Sequence, residues 1–157
     1  MQRCDPFPRL SASAKPRNGD PTMHHLHFNH LPIVVSAVFL WLLGAVWYSP
    51  LLFAKPWVEI VGRKMGEKPK GVVHGMIASF IGDLLLAFVL AHIIGWSGAE
   101  TAGWGVFIGV LMWIGFVLAP LYPQRIYEGR PFRYLAINAG YWLVGFALVG
   151  ALLAVWR

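Results

Sequence analysis

Charged residues are scarce in this chain. Only 13% of its 157 residues are Asp, Glu, Lys or Arg, whereas a soluble domain of this size carries about 25%. So few charges cannot cover the surface of a water-soluble globule, and 57% of the residues are hydrophobic. The composition therefore excludes a soluble enzyme or a nucleic-acid-binding module, and it predicts that much of the surface faces lipid.

Cysteine and acidic residues are also rare. Cys4 is the only cysteine, which excludes an internal disulfide framework and a cysteine-based zinc cluster. Seven Asp and Glu against thirteen Lys and Arg give a formal net charge of +6. The basic residues occur in short segments between long apolar runs. This pattern is typical of contact with an anionic membrane leaflet and not of nucleic-acid binding.

The N-terminal residues 1–29 contain no long apolar run. They lack the hydrophobic stretch of about 7–15 residues that a signal peptide needs, and their composition predicts a disordered, basic and His-rich tail. Met23 lies shortly before the first apolar segment. We therefore expect translation to start at Met23, with residues 1–22 upstream of the natural start.

Four apolar segments follow, each near the roughly 20 residues that a helix needs to cross the hydrocarbon core of a bilayer. The predicted spans are 31–49, 72–96, 102–121 and 134–156, within a transmembrane domain of residues 30–157. Backbone polar groups cannot stay unpaired in lipid, so each span has to be a helix or a strand of a closed barrel. The alternation of apolar and polar residues that a membrane β-barrel needs is absent. The expected fold is all-α, a bundle of four transmembrane helices.

Lys and Arg are unevenly distributed between the two sides of the membrane. Within about 15–20 residues of the spans, one side carries eight, namely Lys55, Arg63, Lys64, Lys68, Lys70, Arg125, Arg130 and Arg133, and the other carries Lys15, Arg17 and Arg157. The positive-inside rule predicts that loops 50–71 and 122–133 are cytoplasmic. We expect both termini to be periplasmic, in the inner membrane of a bacterium.

Prolines lie at the cytoplasmic ends of the first and third spans. Pro50 and Pro56 are expected to end the first helix and redirect the chain. The apolar residues between 51 and 61 can then form an interfacial amphipathic segment on the membrane surface. Pro120 and Pro123 are expected to end the third span in the same way.

Asp83 is the only formally charged residue inside the four segments. It lies about 16 Å into the second span at 1.5 Å per residue, close to the bilayer centre, so it must face protein. We expect the indole N–H groups of Trp41 and Trp113 to be its partners. Asp83 is then either a group that handles a proton or a cation, or a hydrogen-bonded residue that fixes helix packing.

A second polar group is predicted near the cytoplasmic boundary. Asn138 and Tyr141 share one face of the last span, with His74 as a candidate partner at a similar depth. Beside them lies the polar clasp, which we define as Tyr48, Lys55, Trp57, Glu128 and Arg130, where Glu128 and Arg130 can pair across a turn that Gly129 permits. The arrangement is either a clasp that holds the first, second and fourth spans together or a small polar pocket.

Histidines collect at the opposite side of the membrane. His27, His30 and His92 are candidate ligands of a transition metal, but no cysteine or carboxylate completes a recognisable set of ligands. Haem would need paired histidines on a second helix, and the third and fourth spans contain none. We therefore expect no metal and no cofactor.

Small residues occur in pairs on the last two spans. Gly105 and Gly109 form a GxxxG pair, and Ala147 and Ala151 are spaced in the same way. Such pairs favour close helix packing within the bundle or between two copies of the chain. The expected partners are thus the lipid bilayer and a second copy, and nucleic acid is not among them.

Three motifs resemble one family. They are WYSPLLFAKPW at 47–57, YEGRP at 127–131 and INAGY at 137–141, and together they resemble the bacterial membrane proteins of domain of unknown function 1761 over roughly residues 27–156. The resemblance implies a small four-helix membrane protein. It supplies no activity, substrate or cofactor.

The expected function is non-catalytic, either as an accessory subunit or as a minimal carrier of protons or small solutes. The alternative is a membrane enzyme or metal-binding protein that uses Asp83 and the periplasmic-side histidines. No nucleophile–base pair, phosphate-binding loop or metal-ligand spacing supports this alternative.

Overall fold

The computed structural model describes residues 30–64, 66 and 71–156 of the chain. The predicted tail 1–29 lies outside this range. The described residues form helices and turns without a strand, which confirms the all-α prediction. The elements are α1 (His30–Trp47), α2 (Ala54–Val61), α3 (Val72–Ser97), α4 (Ala102–Trp113), a π-helical stretch (Ile114–Leu118), α5 (Ala119–Tyr127) and α6 (Phe132–Val155).

Within the described residues, four helical units are long and apolar enough to cross a membrane, as predicted. They are α1, α3, the continuous helix Ala102–Tyr127 and α6. Three of them agree with the predicted spans to within about two residues, which is the ordinary uncertainty of helix ends. The short helix α2 forms where an amphipathic segment was expected, and its place on the membrane surface stays a prediction.

The third unit continues past its two prolines. Pro120 and Pro123 lie inside α5, which ends only at Tyr127, so the prediction that they end this helix is wrong. In the π-helical stretch, the N–H of Ala119 donates to the carbonyl of Ile114, five residues back. In a regular α-helix, the proline ring would clash with the carbonyl four residues earlier. The wider π-helical turn directly before Pro120 shifts the positions of the preceding carbonyls relative to that ring.

The closest approach between helices is that of α4 to α6. A Cβ atom added at Gly105 would collide with the carbonyl oxygen of Gly150, and one added at Gly109 would collide with that of Phe146. Only glycine allows the two backbones to approach so closely. The predicted GxxxG pair therefore packs within the chain.

Packing differs between the two ends of the bundle. We call the end that holds α2 and the turn 128–131 the basic end, because Arg63 and Arg130 lie there. At the other end an apolar core is almost fully buried and includes Leu40, Leu90, Ile94 and Val149. No residue of α3 between Val72 and Gly82 is buried, and burial begins at Asp83. The half of α3 nearer the basic end is therefore only loosely packed on the bundle.

Candidate intramembrane binding cavity

A cavity of about 810 Å³ lies between α1, α3 and α6. It forms beside the loosely packed half of α3. Its volume is typical of sites for small organic molecules. α2 and the residues that follow α1 line its outer part. The residues that line the cavity are Trp41, Gly44, Ala45, Tyr48, Ala54, Trp57, Val58, Arg63, Gly71, Val72, Gly75, Met76, Ser79, Gly82, Asp83, Asn138, Tyr141 and Trp142.

Asp83 forms the floor of this cavity. Its side chain is only 3% exposed, and it lies about 16 Å along the α3 axis from Val72. Beyond it, Leu40, Ala87 and Leu90 are buried in the apolar core, which closes the cavity on that side. The cavity is thus open at the basic end and closed near the middle of the spans.

The two indoles predicted as partners of Asp83 donate elsewhere. Trp41 lines the cavity, but its Nε1–H donates to the carbonyl of Met76 at 3.3 Å. Trp113 donates to the carbonyl of Ala139 at 2.8 Å and lines a separate apolar cavity of about 670 Å³. The prediction is wrong because an indole has one N–H, and helix carbonyls retain a free lone pair that can accept it.

No residue in the described ranges donates a hydrogen bond to the Asp83 carboxylate. The two phenols in the cavity donate elsewhere, Tyr141 to the carbonyl of Leu40 at 3.2 Å and Tyr48 to Asn138. Asp83 therefore faces the cavity as a buried acceptor without a donor among the described residues.

Asn138 is held by residues on its own side of the cavity. Its Oδ1 accepts from the Tyr48 hydroxyl at 3.0 Å, and its Nδ2 donates to the carbonyl of Tyr134 at 2.8 Å. The prediction that His74 pairs with Asn138 or Tyr141 is wrong. His74 is exposed because its part of α3 does not pack on α6.

The Tyr48 hydroxyl stays protonated at physiological pH. Tyr48 lies one residue beyond α1, and burial raises its pKa to about 12, with a smaller contribution from Tyr134. The phenol therefore keeps its proton and donates a hydrogen bond to Asn138 over the whole physiological pH range. This hydrogen bond connects the end of α1 to α6.

The polar clasp joins three segments at the basic end. Glu128 and Arg130 pair at 3.5 Å, as predicted, across a turn in which Gly129 has a φ of +63°. Arg130 also donates to the carbonyl of Ile60 at 3.1 Å, which connects the turn to α2. The ring of Trp57 packs edge-on against Tyr48 with centroids 5.8 Å apart.

The clasp joins the first and fourth spans through Tyr48 and Asn138, but none of its hydrogen bonds, ion pairs or ring contacts among the described residues reaches the second span, α3. Tyr48 and Trp57 both hold elements together and line the cavity, whereas Lys55 is exposed and outside the lining.

Three site residues escaped the sequence reasoning. Trp47 donates to the carbonyl of Ile137 at 3.1 Å, although it enters the sequence-based prediction only as the first residue of the WYSPLLFAKPW motif. Trp142 lines the cavity four residues after Asn138, and this helical spacing is a signal that could have identified it. No sequence signal distinguishes Arg63 from the other basic residues of its loop.

The histidines do not assemble a site in the part of the chain that the structure describes. There, no three His, Cys, Asp or Glu side chains group as metal ligands. His92 Nδ1 lies 2.7 Å from the carbonyl of Phe88, and His30 is exposed at the start of α1. His27 lies outside the described residues. Asp83 and His92 are about 13 Å apart along one helix axis.

Comparison with known proteins gives one match. A family model described as "Protein of unknown function (DUF1761)" matches residues 31–154, which confirms the resemblance carried by the three motifs. Neither the curated proteins nor the solved structures contain a match to the chain.

Proposed function

The chain belongs to the DUF1761 family of proteins of unknown function, and from the geometry of its cavity we propose that it is a non-catalytic membrane carrier for protons or a small solute. The observation that carries this proposal is the Asp83 carboxylate on the floor of a cavity with one open end. An ionised carboxylate near the bilayer centre costs about 2.5–3.5 kcal/mol. Binding a proton or a cation removes that cost.

The residues of the cavity support a binding role over a catalytic one. In the part of the lining that the structure describes, Ser79 is the one hydroxyl side chain besides the two tyrosines, and no histidine accompanies it as a base. A nucleophile needs such a base within hydrogen-bond reach. The cavity therefore fits a molecule that enters, is held and leaves unchanged.

The proposal includes an orientation. With the basic end in the cytoplasm, as the positive-inside rule favours, the cavity opens inward and the apolar core faces the periplasm in a bacterial inner membrane. Outward release then requires the core around Leu40 and Leu90 to open while the basic end closes. A homodimer would have to form through faces other than Gly105 and Gly109, which α6 already covers.

Proton flux into proteoliposomes tests the carrier proposal. We expect purified full-length protein to dissipate an imposed pH gradient, read by an enclosed pH-sensitive dye, faster than protein-free liposomes. Asp83→Asn should abolish this flux, and His92→Ala should leave it unchanged because His92 lies outside the cavity.

Two results would overturn the carrier. One is wild-type flux no greater than that of empty liposomes, and the other is undiminished flux through correctly folded Asp83→Asn. Stoichiometric metal in protein purified without a His tag would favour the metal-binding alternative instead.

A further inference from the structure

We propose that the cavity binds organic cations with an apolar body, and that such a cation competes with a proton for Asp83. This inference rests on the proposed function for the site and adds the class of ligand. It concerns binding, so it can be tested without transport.

The charge of the ligand follows from the surroundings of Asp83. The carboxylate is buried and lines the cavity, and none of the described residues donates a hydrogen bond to it. Among the described residues, Arg63 is the only Lys or Arg in the lining, and it is exposed at the opposite, open end. A buried charge needs a close partner of opposite sign. For ionised Asp83, that partner has to be supplied by the ligand.

The walls of the cavity favour a cation as well. Trp57, Tyr48, Tyr141 and Trp142 form a continuous aromatic wall, with successive ring centroids 5.8, 5.7 and 4.8 Å apart. Trp41 adds a further indole to the lining. Aromatic faces attract organic cations, quaternary ones included.

The same wall is a poor site for an anion. Three of the five hydroxyl and indole hydrogens of the aromatic residues that line the cavity are already committed, because Trp41 donates to Met76, Tyr48 to Asn138 and Tyr141 to Leu40. An anionic ligand would need free donors. What the wall presents is chiefly ring faces, which suit a cation without strong hydrogen-bond donors.

The shape of the cavity indicates how such a ligand arrives. The cavity is open at the basic end, where Arg63, Gly71 and Val72 line it and are exposed. Asp83 lies at the closed end, about 16 Å along the α3 axis from Val72. A cation therefore enters at the basic end, passes the aromatic wall and reaches Asp83 last.

Equilibrium binding of tetraphenylphosphonium to the purified full chain in a neutral detergent tests this inference. We expect saturable binding of one cation per chain at pH 8 and at least about tenfold weaker binding by Asp83→Asn. Asp83→Glu should restore most of the affinity. Tetraphenylborate has the same shape and the opposite charge, and it should not bind at the site.

The pH dependence gives a second readout. Within residues 30–64, 66 and 71–156, Tyr48, Arg63 and Tyr141 are the other titratable or charged groups that line the cavity. Phenols and guanidinium groups do not ordinarily change charge between pH 8 and pH 4. We expect phosphonium binding to weaken as the pH falls over this range, because a protonated Asp83 offers no charge.

A matched pair of tryptophan variants tests the aromatic wall. Trp57→Leu should weaken phosphonium binding several-fold, and Trp113→Leu should not, because Trp113 lines the other cavity. Trp57 lies on α2, outside the four membrane-spanning units. The pair therefore remains informative even if Asp83→Asn fails to fold.

The outcomes separate the two proposals. Equal binding of tetraphenylborate, pH-independent phosphonium binding or undiminished binding by folded Asp83→Asn would each overturn the cation site. Phosphonium binding without proton flux would overturn the proton carrier and keep the site. Flux without phosphonium binding would overturn the site alone.

Discussion

A methyl group added at Gly105 is the most direct test of the α4–α6 interface. In Gly105→Ala, the new Cβ would collide with the carbonyl oxygen of Gly150 and lie 2.7 Å from the Cβ of Ala154. Ordinary contact between carbon atoms begins at about 3.5 Å. The obstacle includes backbone, which cannot rotate away as a side chain can, so the helices must move apart by about 1 Å.

The cost of this separation follows from packing. Inserting an extra carbon into a well-packed interface costs about 1–3 kcal/mol, and the loss of contacts along the whole helix pair places Gly105→Ala in the upper part of that range. Gly103→Ala is the matched control on the same helix, because its Cβ would meet no atom within 4 Å. We expect the control to change the free energy of unfolding by less than about 0.5 kcal/mol.

Reversible unfolding in mixed detergent micelles, followed by tryptophan fluorescence, measures this difference. Gly105→Ala should unfold at a distinctly lower fraction of denaturing detergent than wild type, whereas Gly103→Ala should not. If both variants unfold together, the close approach of α4 and α6 is not what stabilises this part of the bundle. The double variant Gly105→Ala, Gly109→Ala should cost less than the sum of its parts, because the first substitution already separates the helices.

Three further predictions follow from single contacts. Ser36 has the one buried side-chain hydroxyl without a partner among the described residues, so Ser36→Ala should stabilise the protein by about 1–2 kcal/mol in the same unfolding assay, and a loss of stability would contradict this. Because burial raises the pKa of Tyr48 to about 12 from an ordinary value of 10.0, its contribution to stability is fully present below pH 10 and is lost as the pH rises through 12. Tyr48→Phe should remove this part of the alkaline pH dependence of the melting temperature, and an unchanged pH profile would refute the assignment. A reporter fused after residue 157 should be periplasmic, and cytoplasmic activity of that reporter would reverse the proposed orientation.

The sequence was sufficient for those features that depend on length and polarity alone. Segments of about 20 apolar residues can only be helices in lipid, so the spans followed without knowledge of their contacts. Gly105 and Gly109 identified a face of close packing in the same way. The pairing of Glu128 with Arg130 was also accessible, because both residues belong to one short turn.

Contacts between distant helices were harder to predict. Trp41 and Asp83 were predicted to lie at similar depths in the membrane, and both line the same cavity. Depth along a span does not determine, however, in which direction a side chain points or which group it contacts. Backbone carbonyls are available at every level of a helix, so spacing alone could not show that the indoles would donate to Met76 and Ala139. The loose packing of α3 on the bundle could not be read from hydrophobic periodicity in its sequence either. In lipid, the exposed residues of a helix can be as apolar as its buried ones.

The π-helical stretch was equally hidden. The rule that proline ends a helix assumes α-helical register, and five residues of π-helix before Pro120 remove that assumption. The prolines therefore indicated the right place for an irregularity, but the irregularity is a π-helical stretch and not the end of the helix.

The unequal lengths of the helices that can cross a membrane make bilayer thickness a variable for this protein. At 1.5 Å per residue, the 26 residues of Ala102–Tyr127 extend over about 39 Å, and the 18 residues of α1 over about 27 Å. A hydrocarbon core of about 30 Å matches α1 more closely and leaves the longer helix to tilt or to project into the headgroups. Lipids with longer acyl chains would reduce that mismatch for the longer helix and increase it for α1, so chain length sets the relative inclination of the two helices.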